Sequence, residues 1–262
     1  LEKLCMSDLA DELWEARRLG HTLDPVRSDL PTTKIDAYKV QDAIVERSGL
    51  TRCGYKVGST SKEAQQLLAT NEPGMGVLLA PFVHESPARI KIVPEQMPAV
   101  EGEFAFRFGR DLPGRVEQYT ITEVAAAIES VTGAIEVVGT RFSGGLEGKG
   151  RFLTTADCGV NIALATGDWV QYSGQDFREH AVTITINDQL RGTGTGSRAL
   201  GNPLNVLLWL VNFQSSRHID IKAGEIVATG TCTGLDAVQP GDIARADFGT
   251  LGSTLIHFDA AE

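Results

Sequence analysis

The chain has 262 residues, 42% hydrophobic and 22% charged, a composition ordinary for a globular protein long enough to bury a sizeable core. Its 24 basic and 34 acidic residues give a net charge of -10 with no clear basic cluster, which argues against nucleic-acid or anionic-membrane partners. No run approaches the roughly 20 apolar residues of a membrane span. The charged start "LEKLCMSDLADELWEARRLG" has no signal-peptide core, and Cys5, Cys53, Cys158 and Cys232 form no C-x-x-C pair. A soluble, cytoplasmic protein with reduced thiols is expected, without zinc or a disulfide framework.

Apolar residues at i, i+3 and i+4 predict helices over residues 5 to about 20 and 35 to about 47, joined by the loop "SDLPTTK". "GYKVGST" reads as strand and "SKEAQQLLA" as a short helix, and short strands punctuated by Pro and Gly follow "NEPGMG". "VEGEFAFRF" is a strand ending in the turn "GRDLPGR". "TITEVAAAIES" carries a capping box, Thr120 three residues before Glu123, ahead of an Ala-rich helix. "TGAIEVVGT" predicts a strand, "FSGGLEGKG" a loop, and "TTADCGVNIALATG" and "AVTITIND" further strands, the last leading to a turn at Asn187-Asp188. "GTGTGS" (192–197) lacks the Lys of a phosphate loop and reads as a flexible turn. "GNPLNVLLWLVNF" is a helix with Asn202 at the N-cap and Pro203 at its first position. "GEIVATGT" and "DIARADFG" close the chain as strands around the turn "QPGD". Helices gather early and strands later, which indicates a mixed α+β fold.

Chemistry concentrates in residues 100 to 108. Alternation puts Val100, Phe104, Phe106 and Phe108 on one face and Glu101, Glu103, Ala105 and Arg107 on the other. Two acidic residues on a wet face would be unremarkable, but Glu136 stands between Ile135 and Val137 in a strand apolar on both faces. A carboxylate there must be paired, with Arg141 the obvious partner, or must coordinate a metal. Three converging carboxylates would suit a hard cation, Mg2+ or Mn2+. Lys56, between Tyr55 and Val57, either snorkels to the surface or serves a site. The five histidines make no H-x-x-x-H pair, and Cys232 has no assignable base.

"YKVGSTSKEAQQLL", "VEGEFAFRFGRDL", "AIEVVGTRF", "TAD", "GNPLNVLLWLVN", "KAGEIVATGTCTG" and "VQPGDIARADFGTLGS" run in an order that resembles the 2-keto-4-pentenoate hydratase and 2-oxo-3-hexenedioate decarboxylase family of the fumarylacetoacetate hydrolase superfamily. The resemblance spans nearly the whole chain. It implies a mixed β-sheet roll with a smaller helical N-terminal region: residues 1–60 helical and 61–262 a β-rich catalytic core, together one structural unit. It also implies a metal, usually Mg2+, on Glu101, Glu103 and Glu136, chelated by the carboxylate and 2-keto oxygens of a small 2-oxo acid. The cation would stabilise the enolate through which water addition or loss of CO2 proceeds. Lys56 matches the family's active-site lysine, as a carboxylate-binding or proton-transfer group whose pKa burial could lower. Thr231 and Thr233 of "GTCTG" would meet the substrate carboxylate, and a homo-oligomer is expected.

The chain departs from the family pattern at three places. Gly74 stands where a hydratase loop carries Asp, leaving Glu72 as the nearby acid that could substitute. Gly139 replaces an Asp that would support the metal ligands, a loss that weakens metal binding or activity about 10–100-fold. "ADCGVN" replaces "A-D-N-A-S-S", leaving Asp157 and Cys158 toward the substrate. The reading is therefore a metal-dependent lyase, a hydratase of 2-keto-4-pentenoate-type acids. The alternatives are a 2-oxo-3-hexenedioate-type decarboxylase, a C–C hydrolase or a non-catalytic 2-oxo-acid binder.

Overall fold

The computed structural model describes residues 6–261; Cys5 lies outside the described residues. In chain order the helices are α1 (Met6–Leu19), α2 (Lys34–Ser48), α3 (Lys62–Leu67), α4 (Ile121–Ala125), α5 (Gly150–Ala156) and α6 (Pro203–Ser216). The first seven strands are β1 (Arg52–Gly58), β2 (Gly74–Leu79), β3 (Val83–Glu85), β4 (Ala88–Ile92), β5 (Ala99–Phe108), β6 (Ile128–Val138) and β7 (Asn161–Thr166). The rest are β8 (Val170–Gln171), β9 (Ala181–Ile186), β10 (Gln189–Thr195), β11 (Ile226–Ala228), β12 (Asp236–Ala237), β13 (Ile243–Asp247) and β14 (Ser253–Ala260). None of these helices is long and apolar enough to cross a membrane.

The strands build two mixed sheets, as the α+β reading anticipates. The larger runs β2-β1-β11-β5-β6-β7-β3, with β12 beside β5 and β8 beside β6; the smaller runs β10-β9-β13-β14-β4. Most pairs are antiparallel, but β1/β11, β3/β7 and β14/β4 are parallel. β1 falls inside the stretch read as the helical N-terminal region, yet it is the second strand of the large sheet.

The core lies between the sheets, and β5 shows why. Phe104, Phe106 and Phe108 are fully buried on one face. Phe104 packs on Phe177 and edge-on to Phe248 at centroid distances of 4.9 and 5.6 Å. Its cross-strand partner is Gly133, and a Cβ there would lie 2.1 Å from the Phe248 ring, so the missing side chain makes room for it. On the opposite face the same sheet carries small residues, Ala105, Ala134 and Ala228.

Local signals explain most element ends. Thr33 caps α2, Gly49 ends it with φ 61°, Ser61 caps α3 and Asn202 caps α6, with Pro203 following. Asn187 and Asp188, φ 52° and 61°, form the tight turn between β9 and β10. Three expectations need correction. The Thr120–Glu123 capping box is present, but α4 stops at Ala125 because β6 starts at Ile128 and pairs with β5. "TTA" of the expected "TTADCGVNIALATG" strand belongs to α5 instead, and the strand begins only at Asn161. "GTGTGS" is mostly strand: Cβ atoms on Gly192 and Gly194 would lie 2.6 and 1.9 Å from the carbonyls of Thr233 and Cys232. The alternating glycines let β10 lie flush against the neighbouring backbone.

Candidate active site

The register of β5 and β6 puts Glu101 directly opposite Glu136, with Glu103 one same-face position away. Ligand oxygens of Glu101, Glu103 and Glu136 lie within 4.8 Å of one another. Glu103 and Glu136 are fully buried, and Glu101 opens onto a cavity of about 220 Å³. β11 continues past Ala228 beside β5, with Thr229 N–H donating to the Phe104 carbonyl and Gly230 N–H to Glu103 Oε2 at 2.8 Å.

Lys56 comes from β1, separated from β6 by β11 and β5, yet its Nζ lies 3.1 Å from Glu136 Oε2. Across a flat sheet those backbones would be roughly 14 Å apart or more. The contact therefore needs a sheet that curls and a long side chain. Gly76, opposite Lys56, and Gly159 allow this crowding: a Cβ on Gly76 would strike the Cys158 carbonyl at 2.2 Å, and one on Gly159 would strike Lys56 Cδ at 2.9 Å.

The electrostatics are those of three buried carboxylates facing one ammonium. Burial and the charge of Glu136 push Glu101 up to about 7, against the pull of Lys56. Burial, Glu136 and Glu101 push Glu103 well above the usual carboxylate range. Burial acts to lower the Lys56 pKa, but Glu136, Glu101 and Glu103 together outweigh it and hold the ammonium above its ordinary value. The expected lowering is thus reversed by the neighbouring carboxylates. Glu103 Oε1 is buried without a hydrogen-bond partner, an expensive arrangement unless something positive meets it. All-oxygen donors, mutual repulsion and an orphaned oxygen fit a hard divalent cation.

The sequence candidates fall into two groups. Lys56, Glu101 and Thr231 line the cavity, and Glu103 and Glu136 stand behind Glu101. Thr231 Oγ1 is tied to the backbone of Gly234, and Thr233 Oγ1 accepts from Gly102 N–H at 3.0 Å, bracing the loop against β5. Glu72 does not line the cavity: its half-exposed carboxylate pairs with Lys34 at 2.9 Å. Asp157 is also occupied elsewhere, because its carboxylate holds Arg141 Nε at 2.5 Å and accepts from the Arg141 backbone N–H. That pair removes Arg141 as the partner of Glu136. Cys232 is buried, and burial pushes its thiol far up, so it is no nucleophile.

Three polar residues escaped the sequence reading. Asn161, the last letter of "ADCGVN", donates from Nδ2 to Glu136 Oε1 at 2.8 Å. It takes over the orientation of Glu136 that an acid at position 139 was expected to supply. Gly139 has no room for one, since a Cβ would lie 2.6 Å from Ile162 Cδ1 and 2.9 Å from the Gln96 carbonyl. Arg151, from α5, lines the cavity above Gly74, where a Cβ would lie 1.5 Å from its Nη1. Arg198 lines it as well, paired loosely with Glu63 at 3.9 Å. Leu67, Leu68, Val138, Leu146 and Val160 supply apolar walls.

Comparison with known proteins agrees with this geometry. The family described as fumarylacetoacetate (FAA) hydrolase C-terminal matches residues 56–256. A 2-keto-4-pentenoate hydratase of Paraburkholderia xenovorans (strain LB400) is 30% identical over 261 residues, covering 97% of this chain and 94% of its own. A 2-hydroxyhexa-2,4-dienoate hydratase of Comamonas testosteroni is 28% identical, with 98% of each chain covered. Among solved structures, a 4-oxalocrotonate decarboxylase from Pseudomonas putida G7, complexed with magnesium and adipate, superimposes with a TM-score of 0.88 at 27% identity, covering 97% of each chain. With the buried triad, the curled sheet and the match over residues 56–256 in agreement, the chain belongs to the fumarylacetoacetate hydrolase family.

Proposed function

We propose that this chain is a Mg2+-dependent (or Mn2+-dependent) lyase that acts on an unsaturated 2-oxo acid or 2-hydroxy-dienoate, adding water to a 2-keto-4-pentenoate-type substrate. The observation that carries this reading is the convergence of Glu101, Glu103 and Glu136 beside Lys56 at one cavity, with Glu103 Oε1 orphaned. Held by these three carboxylates, a divalent cation would supply the positive charge that polarises a 2-oxo group and its neighbouring carboxylate. The names of the hydratase relatives and the magnesium in the decarboxylase structure support it.

The chain's own groups have separate tasks. Lys56 keeps its proton at Nζ because three carboxylates face it. In that form it can hold the substrate carboxylate or donate a proton. Asn161 fixes the orientation of Glu136, and Gly230 N–H fixes that of Glu103, so the donor set is positioned before substrate arrives. The leucine and valine walls surround the hydrocarbon part of the substrate and keep bulk water from it.

One observation favours decarboxylation as the second reading. Position 74 offers no acid to place a water or move its proton, and Glu72 is turned to Lys34. Purified protein with Mg2+ is assayed on 2-hydroxypent-2,4-dienoate for loss of the diene and on 4-oxalocrotonate for CO2 release, each with and without chelator. Metal-dependent consumption of the first supports hydration. CO2 release from the second, with the first untouched, selects decarboxylation. No turnover of either across a wider panel, with tight oxalate binding, leaves a binder of 2-oxo acids.

A further inference from the structure

The sequence shows no basic cluster, yet the fold assembles one away from the triad. The end of α1 with β3 and β4 borders a cavity of about 390 Å³, lined by Arg17, Arg18, His84, Arg89, Lys91 and Arg141. Among the described residues no acidic side chain lines it, and no residue lines both this cavity and the one at the triad. A hollow of one sign, in a chain of net charge -10, attracts anions against the overall field.

Arg17, from the last turn of α1, is held by backbone carbonyls and an aromatic ring but, among the described residues, by no carboxylate. Its Nη1 donates to the Asn161 carbonyl at 2.6 Å and its Nη2 to the Ile162 carbonyl at 2.8 Å, with Cζ 3.9 Å from the centroid of the Phe82 ring. Its Nε is buried without a hydrogen-bond partner. Arg141 donates to the same Asn161 carbonyl at 3.0 Å, so two guanidiniums share one acceptor, while the carboxylate of Asp157 is given to Arg141. Burial first, and then the charge of Arg141, pull Arg17 down to about 10. Two crowded cations beside one carboxylate leave positive charge uncompensated. Nor does α1 need this arginine as a cap, because the Ala16 carbonyl already accepts from Gly20 N–H and Gln96 Nε2.

We propose that this cavity is a binding site for a phosphate-type dianion, free or as a small phosphate ester. Arg17 and Arg18 approach it from α1 and Arg89 and Lys91 from β4, so a tetrahedral oxyanion meets donors from two sides. Arg18, Arg89 and Lys91 are exposed and form the rim through which an anion enters. The volume exceeds what phosphate alone fills, and Phe82, Ile90 and Ile162 on the walls offer an apolar seat to the carbon part of an ester.

The test is calorimetric titration of the full chain with inorganic phosphate and, separately, with phenyl phosphate, in about 0.1 M NaCl, with and without saturating Mg2+. One anion per chain should bind without Mg2+, whereas phosphate held by a metal on the triad would appear only with it. Arg17→Met should weaken that binding at least about tenfold. Arg18→Glu, a charge reversal on the exposed rim, should weaken it about fivefold and serves if Arg17→Met does not fold. Tighter binding of phenyl phosphate than of phosphate supports the site and identifies an ester as its ligand; equal or weaker binding supports it with the free ion as ligand. No saturable binding of either anion, binding that requires Mg2+, or binding undiminished in both variants overturns the proposal.

Discussion

The two faces of β5 are made from one backbone and do opposite things. Phe104, Phe106 and Phe108 point into the region between the sheets, where aromatic contacts and hydrocarbon burial hold the strand in place. Glu101 and Glu103, one residue out of phase, point the other way, where burial and mutual repulsion raise the pKa of both. The first face stabilises the fold; the second costs it stability. The strand that the phenylalanines anchor, in register with β6, holds the carboxylates within 4.8 Å of one another.

Substitutions on each face should separate the two roles. Glu136→Ala removes one of three candidate ligands and should lower metal-dependent turnover by at least about a thousandfold with the fold intact; steady-state assays paired with circular dichroism check this, and full activity in chelator would contradict it. On the other face, Phe104→Ala should cost about 3–5 kcal/mol of stability by leaving a cavity against Phe177 and Phe248. Urea unfolding measures that loss, and an unchanged midpoint would mean the phenylalanine face does not anchor the strand. Between these extremes, Asn161→Ala frees Glu136 Oε1 and should weaken Mg2+ binding about 10–100-fold with little change in the unfolding midpoint.

The smallest effect is one of pH. Glu101 titrates near 7 in the folded chain, against an ordinary value of 4.5, and Glu103 is raised in the same direction. Their neutral forms suit the metal-free fold, so their stability contribution is complete below about pH 4.5 and is lost as pH rises through 7. Cation binding needs the ionised forms and runs the other way. The increase in Tm on adding Mg2+ should therefore grow from pH 5.5 to pH 8, read by scanning calorimetry. A constant increment over that range would place the bound ion on other groups.

How much of this was readable before folding depends on the range of the interaction. The E-x-E pair was legible because alternation along a strand is local, and Glu136 because a charge inside an apolar run demands a partner. The capping residues Thr120 and Asn202 act within a single turn. The losses are all of longer range. Asp157 looked free until the chain return placed Arg141 against it, sixteen residues away. Glu72 turned to Lys34 in α2, and Arg151 reached Gly74 only because α5 packs over β2. Alternating glycines in "GTGTGS" carry the composition of a loop, yet they answer to the backbone of residues 232 and 233. The three candidate metal ligands were therefore clearer in sequence than the residues packed around them.

One divalent-cation centre built from Glu101, Glu103 and Glu136 has a calorimetric signature. The most direct measurement is calorimetric titration of metal-free protein with Mn2+ at pH 6.5, repeated in two buffers of different ionisation enthalpy. One ion per chain should bind, with protons released because burial and mutual repulsion favour the protonated forms of Glu101 and Glu103 in the metal-free chain. Both signals should disappear in Glu103→Gln. Equal binding by the native chain and Glu103→Gln, or no binding by the native chain, would contradict it.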